Sequence, residues 1–325
     1  MRRRVFTTLL GGTAMAWPLA ARAQKGPVRI GVLFAGGASS LGTKARISWL
    51  NEGLRGNGMT EGSDYRLETR FAAGRYERFP DLAAELAQAG ARVILCNTIA
   101  AVRAAQHLAS LPIVMMANDP VGLGLIASLS RPGGHTTGLA TMNEGLTAKI
   151  LEFLRTIVPD AKVLGALFNP ANPSNATMLE DIRARAGEMG MTVHAVALRL
   201  PEDLGGALAA LAAGKPDALQ IVPDSANLDL ADRVASFAIG HRLPFVMSWP
   251  EIVEFGGLLG YGASERKLLV RSAYYVKRIL DGADPANLPV EQPTSIELRL
   301  NLNTAKAAGL AIPESLLARA DEVIE

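Results

Sequence analysis

A chain of 325 residues with one cysteine cannot close an intrachain disulfide, so its stability has to come from packing. That cysteine, Cys96, ends the apolar run Val93-Ile94-Leu95 and reads as a small buried thiol rather than a reactive one. The four histidines, His107, His135, His194 and His241, are scattered and never spaced as helical or loop metal ligands, so no metal site is expected. There is no G-x-S-x-G elbow, no P-loop and no His/Cys/Asp cluster, which argues against nucleophilic catalysis and against an enzyme. Runs of like charge are also absent, so nothing suggests an electrostatic grip on nucleic acid or anionic lipid. One stretch, Gly122-Leu123-Gly124-Leu125-Ile126-Ala127, matches the dinucleotide pattern G-x-G-x-x-A. Asp119-Pro120 interrupts the approach to it, and it follows a fourth strand rather than a first, so its glycines read as turn and packing residues and no cofactor is expected.

What is present begins with an address. Met1-Arg2-Arg3-Arg4-Val5-Phe6 is a basic start, Thr8 to Ala20 a short apolar stretch, and Ala21-Arg22-Ala23 fits an A-x-A cleavage site. The apolar stretch is short for a bilayer span and carries Gly11, Gly12 and Pro18, which favours a removed signal over a retained membrane helix. Arg3-Arg4-Val5-Phe6 resembles a twin-arginine signal, with the Sec route as the alternative. Without residues 1–23 the 33 basic and 31 acidic residues become 29 and 31, so the mature chain is near neutral and the basic pI belongs to the signal. No cysteine lies near the cleavage site, so the expected product is a protein free in the periplasm.

From Val28 onward short apolar runs alternate with longer amphipathic segments, the pattern of βαβ units in a parallel sheet. Strands are expected at 28–34, 66–71, 93–96, 113–117 and 137–141, with helices at 43–57, 78–88, 99–108 and 123–130. After a helix at 146–157 the series restarts, with strands at 163–168, 192–197, 218–222, 245–247 and 258–261 and helices at 174–188, 202–213, 228–240 and 265–280. A repeated grammar links the halves. The strand ending at Cys96, polar Asn97-Thr98, a helix, Leu111-Pro112, a strand and Asn118-Asp119-Pro120 are answered by the strand ending at Val222, Asp224-Ser225, a helix, Leu243-Pro244, a strand and Ser248-Trp249-Pro250-Glu251. Two lobes on one plan leave a cleft walled by strand carboxyl ends and helix amino ends, where open α/β sheets bind ligands.

The candidate ligand-binding residues are therefore the polar and small residues just beyond strands: Ser39 and Ser40, Asn97, Thr98 and Ile99, Asp119, Asn143, Asn169, Asn172 and Asn175, Asp224, and Ser248. At Asn97 to Ala101 small residues let a ligand approach the helix start, whose dipole favours a carboxylate; a plain N-cap by Asn97 or Thr98 is the competing reading. Asp119 and Asp224 could pair with a ligand ammonium, Asp119 being preferred, although both sit beside prolines that suit capped turns. Among the few aromatics, Trp249 and Tyr261 fall at strand ends where they could cover an apolar ligand.

Several further stretches stand out beside the signal: Asn118-Asp119-Pro120-Val121-Gly122, Ser130-Arg131-Pro132-Gly133-Gly134-His135-Thr136-Thr137-Gly138 and Phe168-Asn169-Pro170. They continue in Gly256-Gly257-Leu258-Leu259-Gly260-Tyr261-Gly262 and in the tail from Asn301 to Leu310. Taken together, these stretches resemble the periplasmic substrate-binding proteins of ABC transporters related to the tryptophan and tyrosine receptors. The resemblance implies an α/β chain with the type I periplasmic-binding fold, in which two Rossmann-like lobes are joined by three crossovers, near 140–143, 260–262 and 287–293. It implies an N-terminal lobe of 24–141 and 262–288 and a C-terminal lobe of 142–261 and 289–325. The partners it implies are a small organic ligand, of the class of an amino acid or related compound, and the membrane subunits of an ABC permease, with the receptor itself a monomer. Where some relatives open the third loop with Thr-Pro, this chain has Thr98-Ile99, so the ligand does not carry over. A sensory subunit serving a membrane receptor and a periplasmic enzyme are the alternatives.

Overall fold

The computed structural model describes residues 26–108, 111–142 and 145–325. The signal segment and Asn143 lie outside the described residues.

The first sheet contains β1 (Val28–Phe34), β2 (Tyr65–Phe71), β3 (Ala91–Cys96), β4 (Ile113–Ala117) and β5 (Thr136–Ala140), in the order β2-β1-β3-β4-β5 and all parallel. The runs VRIGVLF, ARVILC and IVMMA are apolar without alternation because helices cover both faces of the strands they form. Strand β2, YRLETRF, alternates and carries charge, as an edge strand does to discourage further pairing. Helices α1 (Leu41–Gly56), α2 (Phe79–Gln88) and α3 (Ile99–Gln106) follow the first three strands.

The chain crosses to a second sheet through helix α4 (Thr147–Ile157). There β6 (Val163–Phe168), α5 (Pro173–Glu188), β7 (Thr192–Ala197), α6 (Leu204–Ala213), β8 (Ala218–Ile221), α7 (Ser225–Leu228), α8 (Ala231–Gly240), β9 (Phe245–Met247) and β10 (Leu259–Gly262) follow in order. Helix α9 (Glu265–Leu280) returns to the first sheet, where Leu268, Leu269, Ala273, Tyr275, Val276 and Ile279 join Trp49, Leu50 and Leu54 of α1 in one core. Residues 288–291 are stitched along β5 by Glu291 N–H to the Gly138 carbonyl (3.1 Å) and Ala140 N–H to the Glu291 carbonyl (2.9 Å). A third passage then delivers β11 (Glu297–Asn301), α10 (Leu302–Ala308), α11 (Glu314–Leu317) and β12 (Glu322–Ile324) to the second sheet, whose order is β12-β11-β10-β9-β8-β6-β7. Each sheet is sandwiched between two apolar clusters, so the molecule has two cores joined by three chain passages.

Three expectations need correction. The segment 123–130 is not helical: Gly124 has φ +67°, Pro132 closes the segment, and the Leu125 and Ile126 amides fold back to the Pro120 carbonyl, so the chain makes successive turns. The helix expected at 228–240 is two helices, broken at Asp229 and Leu230 because Asp229 is drawn toward the other lobe. The second sheet is not wholly parallel, since β11 runs antiparallel to β10, and the terminal β12 was not foreseen.

The α1–α9 contact depends on a close backbone approach. A β-carbon on Gly53 would lie 2.4 Å from the Val270 carbonyl oxygen and 2.8 Å from the Ala273 β-carbon. Gly53→Ala should therefore cost about 1–3 kcal/mol despite the better helix propensity of alanine, read as a lower denaturation midpoint with an unchanged slope.

Candidate functional site

The polar residues at the strand ends divide into those consumed by capping and those left over. Ser40 accepts the Thr43 N–H at the start of α1 (2.9 Å), Thr98 accepts the Ala101 N–H at the start of α3 (3.2 Å), and Asn172 accepts the Ser174 N–H at the start of α5 (3.1 Å). Asp224 Oδ1 accepts two amides, from Ala226 and Asn227, at the start of α7. Each bond satisfies a first-turn donor that the helix itself cannot. Between β3 and α3 the cap is thus Thr98. Asn97 has no such task, and its Nδ2 and Oδ1 are both buried without a hydrogen-bond partner among the described residues.

Asn97 borders a cavity of about 60 Å³ between the two lobes, whose walls also include Thr98, Ile99 and Met116 of the first lobe and Asp224 and Trp249 of the second. Outward it shares Asn118, Ser174 and Met178 with a wider opening of about 390 Å³, in the range of small-molecule sites. Inward it shares Asn97, Met116, Ser225 and Trp249 with a void of about 20 Å³ that ends on Glu265. The three spaces form one cleft running from a wide mouth to a narrow inner end.

Of the expected site residues, Asn97, Thr98, Ile99, Asn172, Asp224 and Trp249 come together around this cleft. Asp119, preferred over Asp224 for a ligand ammonium, lies at the outer mouth with φ +40°, where its Oδ1 accepts the Gly122 N–H (2.9 Å). Asn169 and Asn175 are buried behind the wall: Asn175 Oδ1 accepts the Asn169 N–H and its Nδ2 donates to the Pro223 carbonyl, both at 2.8 Å. Ser39 and Ser40 precede α1 and do not line the cleft, and Ser248 is buried with its Oγ unpartnered among the described residues. Tyr261 is turned away, stacked edge-on against Phe153 of α4 at 5.1 Å between ring centres. Asn143 is outside the described residues.

Asp224 is occupied. Its Oδ2 accepts the Tyr76 hydroxyl from the first lobe at 2.6 Å and the Asn172 Nδ2 at 2.8 Å, with the Asn169 Nδ2 at 3.4 Å. Burial, with the Asp224 charge beside it, holds the Tyr76 phenol well above its ordinary pKa, so it remains a donor. The Asp224 carboxylate is a hub that ties the lobes, and little of its capacity is left for a ligand.

A second tie was invisible in the sequence. Arg46, on α1 and fully buried, donates Nε to Glu265 Oε1 (2.8 Å) and Nη1 to Asp229 Oδ1 (3.2 Å) and to the Ser225 carbonyl (3.3 Å). Asp229 Oδ2 also accepts the Gly37 N–H (2.8 Å) and the Thr43 hydroxyl (3.3 Å). Gly36 makes room, since a β-carbon there would fall 1.5 Å from Asp229 Oδ2. Burial pushes the Asp229 and Glu265 carboxyls up, because one guanidinium returns less than desolvating two acids takes away. Burial also works against the Arg46 charge, but Glu265 and Asp229 together hold it above its ordinary value. No signal in the sequence distinguishes this arginine from the others on surface helices. Cys96 lies sealed in the first lobe, and burial raises its thiol pKa, consistent with a packing role.

A family model for ABC transporter substrate binding proteins matches residues 38–324. The chain belongs to the ABC transporter substrate binding protein family. Among relatives of this family, a tyrosine-binding protein of Clostridioides difficile is 27% identical over 198 residues, spanning 61% of this chain and 56% of that protein, so the match extends over little more than half of the relative's length. Among solved structures, a Streptococcus pneumonia ABC domain in complex with L-Trp shares the fold with a TM-score of 0.78 at 24% identity, covering 91% of this chain and 100% of that one. The ligand-free, open structure of CD0873, a Clostridium difficile substrate binding protein with adhesive properties, gives a TM-score of 0.58 at 21% identity over 91% of this chain and 99% of that one. These establish the type I periplasmic-binding fold, two lobes with mainly parallel sheets around a cleft. Among the described residues no helix is long and apolar enough to cross a membrane.

Two outcomes follow for the ties between the lobes. Tyr76→Phe removes a hydrogen bond to a charged group and should cost about 1–3 kcal/mol of unfolding free energy, with a larger radius of gyration by small-angle scattering. The pH dependence has a defined sign. With folded-state pKa values raised, Asp229 and Glu265 bind protons more readily in the folded protein, so their contribution is fullest below the ordinary carboxylate range and is lost as pH rises through the raised values. Denaturation curves should show wild-type stability falling over that window relative to the Asp229→Asn/Glu265→Gln double variant.

Proposed function

We propose that this chain is the solute-binding receptor of an ABC importer, which captures a small organic ligand between its lobes and presents the closed form to a membrane permease. The observation that carries the reading is the Asn97 amide, buried in the cleft between strand ends with neither polar atom satisfied by the described residues. Buried polar groups are normally paired, so an unpaired one lining a cleft identifies where a ligand's polar atoms belong. Membership of the substrate-binding family supports a binding role rather than a catalytic one.

On this reading residues 1–23 direct export to the periplasm and are removed, and the mature receptor acts as a monomer. The lobes are 24–141 with 262–288 and 142–261 with 289–325, hinged where the chain passes between the sheets. The ligand class is an amino acid. Relatives with tyrosine and tryptophan ligands support this, as does a cleft that combines Asn97, Thr98 and Ser174 with Ile99, Met116, Met178 and Trp249. The first turn of α3 would receive the carboxylate, since its amides have no acceptor within the helix and the dipole favours negative charge. Closure is driven only if the ligand binds the closed arrangement more tightly than the open one.

The test is a thermal-shift and scattering screen of the protein after unfolding and refolding to strip carried-over ligand. L-tyrosine or L-tryptophan at 100 times its dissociation constant should stabilise the fold by about 2.7 kcal/mol and reduce the radius of gyration. Silence across all proteinogenic amino acids would remove the amino-acid reading, and no ligand-dependent compaction with any compound class would remove the receptor reading.

A further inference from the structure

At the inner end of the cleft one cation serves two carboxylates. Among the described residues Arg46 is the one cation paired with Asp229 or Glu265, and it serves both. Behind them lies Glu251, fully buried, with Oε1 accepting from the Ser264 hydroxyl (2.5 Å) and the Arg266 N–H (3.1 Å) and Oε2 unpartnered. The Arg299 guanidinium is the cation whose charge acts on Glu251, and a buried carboxylate held this way is costly to desolvate.

Glu265, which lines the inner void, has one carboxylate oxygen without a partner among the described residues. Glu265 Oε1 is held by Arg46, but Oε2 is buried and has no hydrogen-bond partner among the described residues. The Glu265 side chain and the equally unpartnered Asn97 amide border the same inner void. Its volume, about 20 Å³, is enough for a single water-sized group, which needs roughly 10–15 Å³. The Trp249 ring lines both this void and the cavity outside it, so a group seated here would belong to a larger molecule extending toward the mouth. Arg46 Nη2 is also buried without a partner among the described residues, but Arg46 does not line the inner void, whose one charged lining residue, Glu265, disfavours an anion. A protonated amine supplies several N–H donors for the two waiting acceptors, Glu265 Oε2 and Asn97 Oδ1, and sets a positive charge beside the carboxylate.

We propose that Glu265 Oε2 and Asn97 Oδ1 form a subsite for the protonated amine of the ligand, at the inner end of the interlobe cleft. The proposal rests on the reading of this cleft as the solute site. It makes Glu265 a specificity residue that joins ligand charge to lobe closure, because the same carboxylate holds Arg46, which reaches across to Asp229 and Ser225 of the other lobe. A ligand without the amine would close the lobes over an unpaired carboxylate, and sites built to pair a polar group reject analogues lacking it strongly.

The experiment is calorimetric titration of the stripped protein with matched probes: L-tyrosine and L-tryptophan, their deamino counterparts 3-(4-hydroxyphenyl)propanoate and indole-3-propanoate, and the remaining amino acids as a panel. The amine-bearing probe that binds should lose at least 100-fold in affinity when its amine is removed. Glu265→Gln, which keeps an oxygen for Arg46, should weaken that probe at least 10-fold and narrow the gap to the deamino compound. Asn97→Ala, which leaves the Arg46 ion pairs intact, should show the same direction with an unchanged melting temperature, and it decides the matter if the Glu265 variant fails to fold. Equal binding of amine and deamino probes would overturn the subsite, as would unchanged affinity in both variants or a complex with only an ordered water on Glu265. So would a panel in which no amine binds. Compaction by an amine-free ligand would overturn the subsite and leave the receptor reading standing, whereas no compaction with any ligand would remove the receptor reading itself.

Discussion

The buried guanidinium of Arg46 is the contact on which the arrangement of the two lobes turns. It projects from the first helix of one lobe and meets Asp229 and the Ser225 carbonyl of the other, while Glu265 holds it from the helix that leads the chain back. An ion pair this deep is a poor source of net stability, because desolvation consumes most of the Coulombic gain. It is a good source of specificity. With Asp229 also bound by the Gly37 amide and the Thr43 hydroxyl, these contacts together favour one relative placement of the lobes. That placement in turn requires the absence of a β-carbon at Gly36 and the break between α7 and α8.

Around this tie the polar residues at the strand ends have separate tasks. Ser40, Thr98, Asn172 and Asp224 complete helices, and in doing so hold the walls of the cleft in place. Asp224 adds the Tyr76 hydroxyl from across the cleft. Asn97, flanked by a capping neighbour, is buried with its amide unpaired among the described residues. The distinction is one of satisfaction rather than of residue type. Two adjacent polar residues after the same strand differ because one reaches the first turn of its own helix and the other does not.

The fold was largely legible because its signals are local. Apolar runs without alternation mark β1, β3, β4 and β8 as strands covered on both faces, and the Leu-Pro pairs before β4 and β9 mark the repeated unit. The misreadings have particular causes. Residues 123–130 have a helical apolar spacing, but Gly124 in the left-handed region and the turn bonds to Pro120 win over it. The helix expected at 228–240 has no breaker residue at its break, which is imposed by contacts of Asp229 with residues more than 180 positions away. Asp119 was preferred as an ammonium partner because it follows a strand, yet its φ of +40° turns the carboxylate back onto Gly122 at the mouth.

By itself the amino-acid sequence determined that this chain makes two α/β lobes, that both sheets are mainly parallel, and that loops rich in Asn, Ser, Thr and Asp meet at one cleft. Periodicity and turn chemistry act over a few residues and are written in order along the chain. Only the tertiary structure decided which of those loop residues stay unpaired, that Tyr261 faces away, and that Arg46, Asp229 and Glu265 share one buried site. Those outcomes depend on which distant groups arrive within hydrogen-bonding distance once two lobes pack, and on how much water their arrival excludes.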